Sequence, residues 1–156
     1  MMLGVNPFDA GGVILIETTV LNFITGYAQQ SSCSTEAGGI LLGHRKGSHL
    51  HVVCATEPSP ADRRSRFRFQ REIEPHQTIA TQAWRQSGQT MEYLGEWHSH
   101  PESNPHPSRI DLTEWKKIIS RANECFVFLI VGNANEHWIG AGRDRSVLRA
   151  KGVASK

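Results

Sequence analysis

The stretch from Glu92 to Ala122 constrains this chain more than any other. Glu92–His98 is predicted as a strand and Ser108–Ala122 as a helix, joined by a loop carrying Pro101, Pro105 and Pro107. Proline fixes φ and removes a backbone donor, so Pro101 ends the strand. The three rings also lower the entropy lost when the loop is held. Side chains alternate along a strand, so His98 and His100 in Glu96-Trp97-His98-Ser99-His100-Pro101 point to one face, with Trp97 and Ser99 on the other. Two imidazoles so placed can share one metal, and Asp111, in the first turn of the helix, is a candidate third ligand. Three nitrogen and oxygen ligands leave the fourth position of a tetrahedral zinc open for a water, the arrangement of hydrolytic zinc sites. Ser108-x-x-Asp111 is also a capping-box-like helix start, and the two roles of Asp111 can coexist.

A chain of 156 residues suggests one domain, here residues 1–156 with a core of about 12–150, large enough to fold alone. Lys+Arg number 17 against Asp+Glu 15, too balanced to imply nucleic-acid binding. No apolar run approaches the roughly 18 residues of a membrane span. Met1–Gly12 lacks a basic n-region and an apolar h-region, so no signal peptide is expected. Cys33, Cys54 and Cys125 are odd in number and widely spaced, which fits reduced thiols of a cytoplasmic protein. Cys54 and Cys125 read as buried small apolar residues.

Periodicity places strands at Gly12–Ile16, Glu36–His44 and His49–Glu57, the latter two forming a hairpin through Arg45–Ser48. Thr18–Gln30 and Glu74–Gln86 read as amphipathic helices. In the Ser108–Ala122 helix, Ile110, Trp115, Ile118 and Ile119 are candidate core positions. Cys125–Val131 is a continuous apolar run, as in a buried strand, and His137–Gly140 and Ser146–Arg149 are short final strands. Arg66-Phe67-Arg68-Phe69 alternates as a half-exposed strand does, burying both phenylalanines and exposing the arginines. The fold class is therefore α+β, with a mixed, mostly antiparallel sheet flanked by helices. Trp97, Trp115 and Trp138 are assigned to the core, Trp84 to an apolar helix face, and His44 and His106 to the surface.

Several hydrolase patterns are absent: His-Glu-x-x-His, Gly-x-Ser-x-Gly and the Walker A loop. What is present, His98-Ser99-His100-Pro101 followed by Ser108 and Asp111, resembles the motif of the JAMM metalloproteases, the JAB/MPN-domain family. Glu36-Ala37-Gly38-Gly39-Ile40-Leu41-Leu42-Gly43 is similar to that family's catalytic-glutamate strand, and the resemblance runs from about Gly12 to Ile139.

The resemblance implies a single JAB/MPN domain with one zinc held by His98, His100 and Asp111. It makes Glu36 the general base and Ser108 the donor to the oxyanion. Spacing alone does not choose Glu36 over Glu57, Glu96 or Glu102. Within the family the chain is most similar to the bacterial stand-alone deconjugating proteases of type II CBASS anti-phage operons. That implies a protein substrate, the C-terminal tail of a cGAS-like nucleotidyltransferase conjugated to a target. An E1–E2-like ligase from the same operon would be its functional counterpart, with no nucleic acid and no membrane involved. The alternatives are a processing protease for a ubiquitin-like or sulfur-carrier protein, a non-catalytic MPN scaffold, and a DNA-associated repair-linked branch. The Arg66–Phe69 strand reads first as a solvated face; a sharper hypothesis, in the enzymatic readings, is that it borders the cleft and holds the substrate tail extended, through both Arg66 and Arg68.

Overall fold

The computed structural model describes residues 1–152. Its elements are β1 (Met2–Val5), β2 (Val13–Ile16), α1 (Thr18–Thr25), β3 (Gly38–Lys46), β4 (His49–Ala55), β5 (Arg63–Ser65), β6 (Arg68–Gln70), α2 (Ile73–Gln86), β7 (Glu92–Ser99), α3 (Arg109–Ile119), β8 (Phe126–Val131), β9 (His137–Arg143) and β10 (Ser146–Arg149). Eight strands make one sheet in the order β1-β2-β4-β3-β7-β8-β9-β10, and β5 and β6 pair separately. Among the described residues only β2–β4 and β7–β8 pair in parallel, as expected of a mixed, mostly antiparallel α+β sheet. The sheet curls until its ends meet: the Val5 amide donates to Lys151 O at 2.8 Å, and Gly4 bridges Gly152.

β8 shows why one apolar run lies between two cores. All six of its residues are buried. Val127, Leu129 and Val131 pack into the curl with Val20 and Ile24 of α1. Phe126, Phe128 and Ile130 face the other way, against Trp115 and Ile119 of α3 and Trp138. A strand covered on both faces has no polar side, hence the unbroken run. A smaller cluster seats α2 through Ala80 on Ile40 and Leu42. No described helix is long and apolar enough to cross a membrane.

β7 carries His98, is followed directly by His100, and contains the fold's least replaceable glycine. Leu94 and Trp97 enter the same core although three residues apart, which a regular strand forbids. The irregularity opposite Leu41/Leu42 supplies the extra residue. Gly95 stands there at φ 154°, and a Cβ on it would lie 1.7 Å from Val127 O. Gly95→Ala is therefore expected to destabilise the protein by about 3 kcal/mol or more, from strain and overpacking together. A urea midpoint unchanged from wild type would contradict this.

Several expectations are corrected. Met2–Val5 forms a strand that short, unpatterned sequence did not reveal. α1 stops at Thr25 rather than Gln30, because Gly26, a poor helix former, takes the C-cap. Arg66-Phe67 is not within a strand but at the tip of the β5–β6 hairpin, so Phe67 is 71% exposed instead of buried. Phe69 is half-buried, its ring against Gly38, where a Cβ would come within 2.6 Å of it. Ile110 is 49% exposed, because it lines the open cleft between β6 and α3 instead of the core. Cys54 is exposed, near the end of β4, and only Cys125 is buried. Trp97, Trp115 and Trp138 are core residues as expected, whereas Trp84 is 41% exposed.

A buried polar knot ties the hairpin to the body. The Asp62 carboxylate accepts from the amides of Ser59 (2.6 Å) and Glu72 (2.8 Å), on either side of β5 and β6, and meets His76 Nε2 at 2.9 Å. His76 Nδ1 in turn meets Thr56 Oγ1 at 2.8 Å, and Thr56 O accepts from the Trp97 indole at 2.9 Å. Every polar group here has a partner, which makes the burial tolerable and the hairpin base rigid.

Candidate active site

The last residues of β7 and the first turn of α3 meet on the sheet face that carries Trp115. The His98 Nε2 lies 3.1 Å from His100 Nε2. Asp111 presents Oδ1 to His98 Nε2 at 3.3 Å and Oδ2 to His100 Nε2 at 3.2 Å. His98 and His100 are 6% and 4% exposed, so this is not a surface pairing. Four-coordinate zinc with bonds of about 2.0–2.1 Å sets its ligand atoms about 3.3 Å apart, the spacing of this triangle. Two imidazoles and a carboxylate are also donors that divalent transition metals accept. The group can therefore hold a metal ion.

Asp111 serves two structural purposes at once. Its Oδ2 accepts the Ser108 amide at 2.7 Å, while Ser108 Oγ accepts the Asp111 amide at 3.1 Å, a complete capping box at the start of α3. The cap fixes the carboxylate relative to the helix, and the proline loop fixes the helix relative to β7. Burial alone would raise the Asp111 carboxyl, but hydrogen bonds from His100, His98 and the Ser108 amide outweigh it and hold the group well below the usual carboxylate range. Burial likewise works against a charged His98, yet the Asp111 hydrogen bond and charge prevail and raise it.

Glu36 is 4% exposed and lies just before β3, with Oε1 3.9 Å from His100 Nε2. Burial pushes its carboxyl up to about 7, against the opposing pull of His98 and His100. A carboxyl poised there can take and release a proton near neutral pH. Of the other glutamates weighed, Glu96 is committed to Arg71, with Nη2 at 2.6 Å. Glu102 is 57% exposed, 3.8 Å from His100 Nδ1, and Glu57 is exposed.

The residues that hold Glu36 were not visible in the spacing. Its amide donates to Ser65 O at 2.7 Å and its carbonyl accepts from Arg64 Nε at 2.7 Å, both from β5. Ser99, between the two histidines, is fully buried; its Oγ accepts the Ala37 amide at 2.9 Å and donates to Gln29 Oε1 at 3.0 Å. Gln29 Nε2 then donates to Arg66 O at 2.8 Å and Ser34 O at 3.2 Å. The face of β7 opposite the histidines thus holds the segment that bears the glutamate. His106 is exposed, and His44, half-buried, meets Thr90 O at 3.0 Å.

A cleft runs from His98 and Asp111 between β6 and α3, with Arg68 on one wall and Arg121 on the other. Arg66 is not at this cleft: it lies over Phe67 and donates to Ser31 O at 3.1 Å, so the paired role expected for Arg66 and Arg68 does not hold.

Comparison with known proteins gives the chain relatives in sequence and in fold. Solution structures of a Desulfitobacterium hafniense protein (TM-score 0.64, 23% identity, 88% of this chain and 90% of that one) and of a Salinibacter ruber protein (TM-score 0.55, 22% identity, 86% and 87%) share the fold. An Escherichia coli protein named CD-NTase/cGAS isopeptidase is 40% identical over 147 residues, 94% of this chain and 92% of its own. A Vibrio cholerae protein of the same name is 37% identical over 128 residues, 82% and 81% of the two chains. Residues 25–146, which include Glu36, both histidines, Ser108 and Asp111, match the family model described as prokaryotic homologs of the JAB domain, and the chain belongs to that family.

Proposed function

We propose that this protein is a zinc-dependent isopeptidase of CBASS anti-phage defence, cleaving after the C-terminal residue of a nucleotidyltransferase tail conjugated to a target protein. The observation that carries this reading is a buried, proton-poised Glu36 beside a His98–His100–Asp111 triad, in a chain whose relatives bear the isopeptidase name. His98, His100 and Asp111 would hold one zinc. Bound there, the ion supplies a Lewis acid that polarises the scissile carbonyl and makes water acidic enough to attack near neutral pH. Glu36 takes the attacking water's proton and returns it to the leaving amine. Ser108 Oγ already accepts the Asp111 amide, so its own hydrogen is free to point at the oxyanion. The enzyme would act as a single domain in the cytoplasm, with an E1–E2-like ligase performing the opposing conjugation.

The test is cleavage of a reporter protein fused behind a nucleotidyltransferase C-terminal tail. The zinc-loaded protein should release the reporter, and chelation should abolish release until zinc is returned. Failure on this substrate together with turnover of a ubiquitin-like fusion would reassign the substrate. No turnover of either would leave a binding scaffold.

A further inference from the structure

The cleft leading to the triad has an uneven charge. It measures about 290 Å³, at the low end of ligand pockets, which run from about 300 to 1,000 Å³. That is room for a short run of extended chain and not for a folded domain. Ile73 and Ile110 line it, 61% and 49% exposed, apolar surface that a bound side chain would cover. Its carboxylates are all engaged. Glu96 Oε1 takes both Nε and Nη2 of Arg71, at 2.9 and 2.6 Å. Glu114 holds Lys117 at 2.8 Å, and Asp111 faces the histidines. Arg68 on β6 and Arg121 just beyond α3 have no carboxylate partner among the described residues. They stand on different elements yet border one concavity, where low-dielectric walls concentrate their field.

We infer that this cleft selects tails by charge, seating an acidic residue between Arg68 and Arg121 and an apolar residue over Ile73 and Ile110, within the few positions preceding the scissile bond. The inference rests on the isopeptidase reading and specifies its substrate: an acidic, apolar-bearing tail rather than a basic one. Exposed ion pairs are individually weak, but two cations on opposite walls discriminate against a like charge as well as favouring an opposite one.

The experiment uses the zinc-loaded protein and reporter fusions whose tails differ only in the four residues before the junction, carrying Glu, Ser or Lys beside one Leu. Acidic tails should be cleaved with kcat/KM about tenfold above basic ones, a ratio that shrinks as salt screens the pairing. Arg68→Glu combined with Arg121→Glu should reverse the order while zinc content stays at that of wild type. Both side chains are exposed, so the exchange leaves the core untouched. The tail series reads the same preference without any substitution. Equal cleavage of all tails, or a preference the double variant does not alter, would overturn the charge selection and leave the isopeptidase reading intact. Cleavage of none would overturn both.

Discussion

Glu36→Gln should lower kcat by about 10²- to 10⁴-fold, the usual contribution of a positioned acid–base group, while zinc stays bound. Glutamine keeps the shape and the backbone hydrogen bonds to Ser65 and Arg64 but cannot carry a proton between water and amine. The fold should not suffer, since a neutral amide removes the cost of burying a charge. The pH dependence has a defined sign. Burial lifts Glu36 from 4.5 to about 7, so activity is lost as pH falls and the base is protonated. A dication beside the carboxylate pulls it back down, so the acid limb of kcat should fall between these two values. Zinc content measured across the same range separates this limb from metal release. An acid limb that persists in residual Glu36→Gln activity would assign it to another group.

The legible parts of this protein are those governed by local periodicity. Period-two alternation put His98 and His100 on one face, and the unbroken run at Cys125–Val131 marked a strand covered on both sides. The proline loop and Ser108-x-x-Asp111 marked a helix start, and the capping box is present alongside the ion pairs to the histidines. Elsewhere periodicity misled. Arg66–Phe69 alternates perfectly, but the chain reverses at Arg66-Phe67, and a hairpin tip faces solvent whatever its pattern. Ile110, a candidate core position by its place in the helix pattern, instead lines the cleft and is half exposed. Met2–Val5 is a strand only because β2 and Lys151 lie beside it. Glu36 has no signature in its local sequence. Its placement depends on Ser99, Gln29 and Arg64, bonds spanning 28 to 70 residues of chain, and no local pattern encodes them.

Asp111→Asn should weaken zinc binding by well over 100-fold, since removing even a group that merely orients a ligand costs about 10- to 100-fold. The substitution separates the two duties of this residue. An asparagine oxygen can still accept the Ser108 amide, so the cap on α3 survives, and the loss on a melting curve without metal should be only that of the pairing with the histidines. The charge that matches a dication is gone. Alanine should instead remove cap and charge together, adding about 1 kcal/mol of destabilisation. Without metal, the wild-type Asp111 carboxylate contributes stability that is complete above its unfolded value of 3.8 and disappears as pH falls through its depressed folded value. Raised His98 behaves oppositely: its contribution is complete below 6.5 and disappears as pH rises through its folded value. Both contributions come from one pairing, and binding a cation replaces it, because the imidazole must then be neutral. Zinc should accordingly release protons as it binds, and the wild-type protein should gain thermal stability on zinc addition. Asp111→Asn should gain almost none at the same concentration. Equal stabilisation of both proteins would show that the ion binds somewhere other than this triad.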